Sequence, residues 1–155
     1  MPRYAENTSV SASGSRAEIE QTLTRYRATA FMYGWEGRQA IIGFEINQRR
    51  YKIPVPLPDR NSREFTHTAA RGYLRSKDDA DAAWEQACRQ RWRATALKIK
   101  ADLEWAECTS HPVEAVLQPF TMLPNGLTAG EWLEPQIEIA YQTGHMPPLL
   151  PAGRE

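Results

Sequence analysis

Cysteine is nearly absent from this chain: Cys88 and Cys108 are the only two in 155 residues. If both lie on the long helix inferred below, a rise of about 1.5 Å per residue sets them about 30 Å apart, too far for a disulfide. Both read as reduced, partly buried small apolar residues. Histidine is as sparse, and His67, His111 and His145 have no carboxylate or cysteine at ligand spacing, which argues against a zinc site. No run of 18 apolar residues occurs, and the stretch MPRYAENTSVSASG has no apolar centre. Neither a membrane span nor a secretory signal is therefore expected, and the location expected is cytoplasmic. No serine sits in a nucleophile elbow, and glycines occur singly in turns rather than in a phosphate-cradling loop. The chain is expected to be non-enzymatic and to use no cofactor or metal.

Basic residues are almost missing from the last third. Residues 1–100 hold 18 of the 19 Lys and Arg against 11 acids, and residues 101–155 hold only Arg154 against 8 acids. A net charge of zero thus hides a balance of +7 and −7. Charge at this density shapes fields and partner choice rather than fold. The split points to a basic ligand-facing surface, or to two surfaces that attract each other within a chain or between chains.

With 41% hydrophobic residues the chain can bury one core, so one domain with short tails is expected. Residues 1–14 are Ser-, Thr- and Asn-rich and read as a disordered arm, and 15–145 as a single α+β domain. Ser15 and Glu18 have capping-box spacing ahead of Ile19, Leu23 and Tyr26, which predicts a helix over 16–26. RATAFMYGW, RQAIIGFEI and RRYKIPVPL then read as a three-stranded antiparallel meander turning at Glu36-Gly37 and Asn47-Gln48. Pairing across those turns sets Tyr33 opposite Ala40, Phe31 opposite Ile42, Phe44 opposite Tyr51 and Ile42 opposite Ile53. Phe31, Tyr33 and Trp35 fall on that same face, which is read as core. The other face is polar to basic, with Glu45 facing Arg50, and Pro54, Pro56 and Pro58 make the third strand an edge.

Residues 57–77 form a basic loop of about twenty residues, a length that usually carries function. A helix over 77–108 follows, with Trp84, Cys88, Trp92, Ala96, Ile99 and Leu103 on one stripe expected to pack on the aromatic face of the meander. Arg89, Arg93 and Lys100 cluster along one flank. Trp105 lies off the stripe and is expected to be covered by the C-terminal segment. There VLQPFTML reads as a weak strand, Pro124-Asn125-Gly126 as a turn, and Thr128 with Glu131 as the start of a helix that Pro135 kinks and Gly144 ends. Residues 146–155 read as an extended Pro-rich tail.

The run RQRWRATALKIK interleaves basic and aromatic residues, as nucleic-acid surfaces do for phosphate contact and base stacking. Together with the loop and the outer face of the meander it defines a candidate interface of Arg50, Lys52, Arg63, Arg71, Arg75, Arg89, Arg93 and Lys100. The order of FMYGWEGRQAIIGFEI, YKIPVPLPD, AWEQACRQRWRATALKIKADLE and LPNGLTAGEWLEPQIEIAY with MPPLLP resembles a group of small bacteriophage and prophage proteins to which no activity is attached. That resemblance covers about residues 16–151 and implies a phage context. The order helix, three strands, helix is also similar to double-stranded-RNA-binding domains, although these have a short connection and a lysine cluster where this chain has a long loop and three aspartates. A three-stranded sheet followed by a long helix is similar to the core of phage single-strand annealing proteins. The leading expectation is a phage protein that binds nucleic acid, single-stranded DNA above all, in replication or recombination. The alternatives are a protein-interaction or host-defence-inhibitor module with a host or phage partner, and a structural component that forms homo-oligomers through its basic and acidic surfaces.

Overall fold

The computed structural model describes residues 5–148 and shows an α+β fold in which two helices cover one face of a three-stranded antiparallel sheet. The strands β1 (Ala30–Glu36), β2 (Gln39–Ile46) and β3 (Arg49–Pro56) follow one another in space as in sequence. β2 and β3 pair as expected, with Phe44 opposite Tyr51, Ile42 opposite Ile53 and Ala40 opposite Val55. Asn47 and Gln48 both take positive φ, the signature of the type I′ turn that suits strand twist.

The first hairpin is displaced by two residues from the expected pairing. Phe31 faces Phe44, Tyr33 faces Ile42 and Trp35 faces Ala40, because the turn is centred on Gly37-Arg38 rather than Glu36-Gly37. Gly37 holds the positive φ at the first central position, as a type II′ turn requires. A slip of two keeps every side chain on its face, so the sheet's sidedness is unchanged.

Helix α1 (Ala12–Arg25) begins four residues before the expected start. Ser11 caps it, accepting from the Gly14 amide, and Ser15 is instead buried one turn inside. A short α2 (Arg63–Thr66) interrupts the basic loop and buries Phe65. α3 (Lys77–Thr109) has the expected extent, with Ser76 accepting from the Asp79 amide and Ser110 closing it in the left-handed region. Ile19 and Leu23 of α1, Trp92, Ala96, Ile99 and Leu103 of α3 and the inward residues of β2 and β3 make one core, with Phe31 of β1 packed against it. Each fully buried large aliphatic side chain contributes about 1.5–3 kcal/mol.

The segment after α3 departs from the expected strand. It forms α4 (Val113–Val116) and a 3₁₀ turn (Gln118–Phe120), since Pro119 suits a turn start and cannot donate to a ladder. Leu117 between them completes the core. Only Thr121 and Met122 are extended: Thr121 bridges to Tyr51 and the Met122 amide donates to the Arg50 carbonyl at the β3 edge.

α5 (Ala129–Thr143) carries the full capping box of Thr128 and Glu131, runs through Pro135 and ends at Gly144 in the left-handed region. The backbone amide of Thr128 holds the Glu131 carboxyl below its ordinary range. Ala129 is its only buried residue, and Ile137, Ile139 and Tyr141 are exposed. It does not cover Trp105, which is 48% exposed and rests on the His111 ring 4.5 Å away. Of the expected Pro-rich tail, 149–155 lies outside the described residues.

Candidate nucleic-acid interface

Trp84, Cys88 and Trp92 recur every four residues and so stack along one face of α3. At the upper end of that stripe the sheet runs out, and a cleft of about 320 Å³ opens between α3, the start of α1 and the ends of β1 and β3. Trp84, Trp92, Trp35 and Leu57 form its apolar walls; Ser11, Arg16, Glu85, Cys88 and Arg89 supply its polar atoms. Trp92 is buried, whereas Trp35 is 69% exposed. The expectation that Trp35 belongs to the core therefore fails, as it does for Tyr33, which is 37% exposed. β1 is an edge strand, and its last inward position projects beyond the helices, which pack against Phe31 and touch Tyr33 through Trp92 and the Arg16 carbonyl.

Each arginine here is oriented. The Arg16 guanidinium lies 5.8 Å from the Tyr33 ring centre and 5.5 Å from that of Trp92, a cation–π arrangement. Arg16 also gives its carbonyl to the Tyr33 hydroxyl, which donates to it at 2.6 Å. Burial pushes the Tyr33 hydroxyl up to about 12, with Glu20 acting in the same direction and Arg16 against it. Arg89 donates through Nε and Nη2 to the Gln86 Oε1, and Gln86 in turn donates to the carbonyls of Glu6 and Thr8. That chain of bonds fixes Arg89 and ties down the segment preceding α1. Burial raises the pKa of the Cys88 thiol, Glu85 adds to this and Arg91 opposes it, so Cys88 is a neutral wall and not a thiolate.

A second groove of about 500 Å³ lies past Trp84, with Arg60, Asn61, Arg75, Lys77 and Asp81 along it. Arg60 joins the two. Its guanidinium lies 5.3 Å from the Trp84 ring centre and pairs with Asp81, while the Trp84 indole donates to the Pro58 carbonyl. The loop carrying these residues is held by its own backbone bonds: the Arg75 amide donates to the Thr66 carbonyl and the Thr68 amide to the Tyr73 carbonyl.

The residues expected at the interface thus separate into groups. Arg89 lies in the cleft and Arg75 in the groove. Arg63 and Arg71 are exposed on the loop, with the Arg63 side chain beside Gly72. Lys100 is exposed further along α3. Arg93 is engaged by Glu18 of α1. Arg50 and Lys52 stand on the outer face of the sheet, away from the helices; Arg50 pairs with Glu45 at 3.7 Å, and Lys52, 16% exposed, pairs with Glu36 at 2.7 Å. The cleft residues Arg16, Trp35, Trp84 and Trp92 were not among those expected at the interface. Alternation along β1 marks Trp35 as inward, and no feature of the sequence shows that the packed helices leave that position open.

A larger concavity of about 640 Å³ lies between the second hairpin and residues 121–126, around Arg49 and Arg50. It has no aromatic ring, so it offers phosphate contact at Arg49 but no stacking. Among the described residues no group of three His, Cys, Asp or Glu is placed to hold a metal ion, and no helix is long and apolar enough to cross a membrane. No family model matches the chain, nor does any curated protein or solved structure.

Proposed function

We propose that the chain is a non-enzymatic binder of single-stranded nucleic acid, DNA in the first place, acting in phage replication or recombination as the motif order implies. Bases stack on Trp35 and the rings behind it, while phosphates lie against Arg16 and Arg89 and continue along Arg60, Arg75 and Lys77. The observation that carries this reading is Trp35 itself: a large ring left 69% exposed at the mouth of a cleft flanked by two oriented arginines. Stacking on an exposed aromatic is worth about 1–3 kcal/mol per base and demands an unpaired strand. Fluorescence anisotropy of labelled single- and double-stranded oligonucleotides at two salt concentrations tests it. Single strands should bind more tightly, retain a salt-resistant part and quench tryptophan emission. Neither form binding below the roughly 10⁻⁴ M of non-specific contact would end the proposal.

A second reading rests on α5, whose exposed Ile137, Ile139 and 88%-exposed Tyr141 sit among Glu134 and Glu138, which form no ion pair among the described residues. An acidic, apolar helix of this kind suits a basic protein partner, either a host or phage protein or the basic part of a second copy. Light scattering distinguishes these: mass that falls with salt marks self-association, and a monomer at low salt removes it.

A further inference from the structure

Glu85 is the one carboxylate lining the tryptophan cleft. Its place is unexpected for a surface that only meets phosphates, because an anion there repels the backbone that Arg16 and Arg89 attract. Its internal pairing is weak: Asp81 takes the Arg60 guanidinium, on which Glu85 acts only through its charge, Arg89 turns to Gln86, and Glu85 forms no ion pair among the described residues. The cleft therefore presents stacking rings with an exposed, acceptor-only group beside them that accepts no hydrogen bond from the described residues.

The bases differ in what they offer such a group. Guanine carries N1–H and an N2 amino hydrogen on one edge, parallel and spaced to meet the two oxygens of a carboxylate. Adenine and cytosine offer one amino group next to a ring nitrogen whose lone pair faces the second oxygen. Thymine and uracil offer a single N3–H between two carbonyls. Only guanine satisfies both oxygens without repulsion.

We infer that Glu85 makes the cleft select guanine, the base stacking on a tryptophan ring while its N1–H and N2–H donate to the Glu85 carboxylate. This rests on the single-strand reading above and adds a base preference to it.

The test uses the full chain and thymine-rich nonamers with one central guest base, read by anisotropy at fixed salt. Guanine should bind about tenfold or more tighter than thymine, adenine or cytosine, the discrimination expected of a bidentate pair. Inosine, which lacks the N2 amino group, should fall between. Glu85→Gln keeps the shape but loses one acceptor, and should bring all guests within about threefold of each other. Trp35→Ala should weaken every guest alike. Equal binding of all guests to the unaltered chain, or a guanine preference that survives Glu85→Gln, overturns the guanine inference and leaves the single-strand reading intact. Absence of binding to any nonamer overturns both. Because the guanine, inosine and thymine series is measured on the unaltered protein, the outcome stands even if the variants misfold.

Discussion

The Arg93 guanidinium donates to the Glu18 carboxylate across the contact between α3 and α1, with both side chains largely withdrawn from solvent. Arg93 and Arg89 lie one turn apart on the same flank, yet the first is committed to the fold and the second faces the cleft. Arg93→Ala should therefore cost about 1–2 kcal/mol in a urea melt, between the values of exposed and buried pairs. Arg89→Ala should cost less than about 1 kcal/mol and instead reduce the salt slope of oligonucleotide binding by about one. The opposite pattern would assign Arg93 to the ligand.

Trp35 and Trp92 line one cleft at very different burial. Trp92→Ala should cost about 3–5 kcal/mol, the range for a buried large aromatic. Trp35→Ala should leave the melt within about 1 kcal/mol while removing about 1–3 kcal/mol of single-strand affinity. A large stability loss from Trp35→Ala would place that ring in the core after all.

Ile42 and Phe44 point into the core from β2, and Arg50 points out from β3. Ile42→Ala or Phe44→Ala should cost about 2–5 kcal/mol and Arg50→Ala within about 0.5–1 kcal/mol. Comparable losses in the three urea melts would show the face assignment to be wrong.

Tyr33 gives the fold a dependence on alkaline pH. Its hydroxyl is raised from an ordinary 10 to about 12 and is bonded as a donor to the Arg16 carbonyl, so the folded chain keeps a proton the unfolded chain releases. The associated stability is fully present below about pH 10 and is lost as pH rises through about 12. Tyr33→Phe keeps the ring contacts and removes the proton. Thermal melts at several alkaline values should show a shallower decline for that variant, and parallel declines would assign the effect to other groups.

Much of the fold was legible because local chemistry and periodicity agree. Asn47-Gln48 fixes the β2–β3 register, and Ser76 with Asp79 marks the start of α3. Glu36-Gly37 suggests a type I′ turn with glycine second, whereas Gly37 takes the first central position of a type II′ turn, and this difference shifts β1 by two. Ser11 and Ser15 both offer caps to α1, and only packing decides that Ser15 is inside. The cleft was the least legible part. It draws on residues 11–16, 35, 57 and 84–92, and whether an inward tryptophan is covered depends on whether two distant helices leave that position open.

The Glu18–Arg93 contact spans 75 residues of sequence. Both hairpins can close among near neighbours, but Ile19 and Leu23 have no apolar partner on a helix until α3 exists. The hairpins close far shorter loops than the α1–α3 contact, so the meander is expected to form before the first helix joins the third. During synthesis, a chain that has emerged only as far as the start of α3 holds strands with an uncovered face. The protein thus leaves the ribosome with one part of the sheet's cover, α1, made before the strands and the other, α3, made after them.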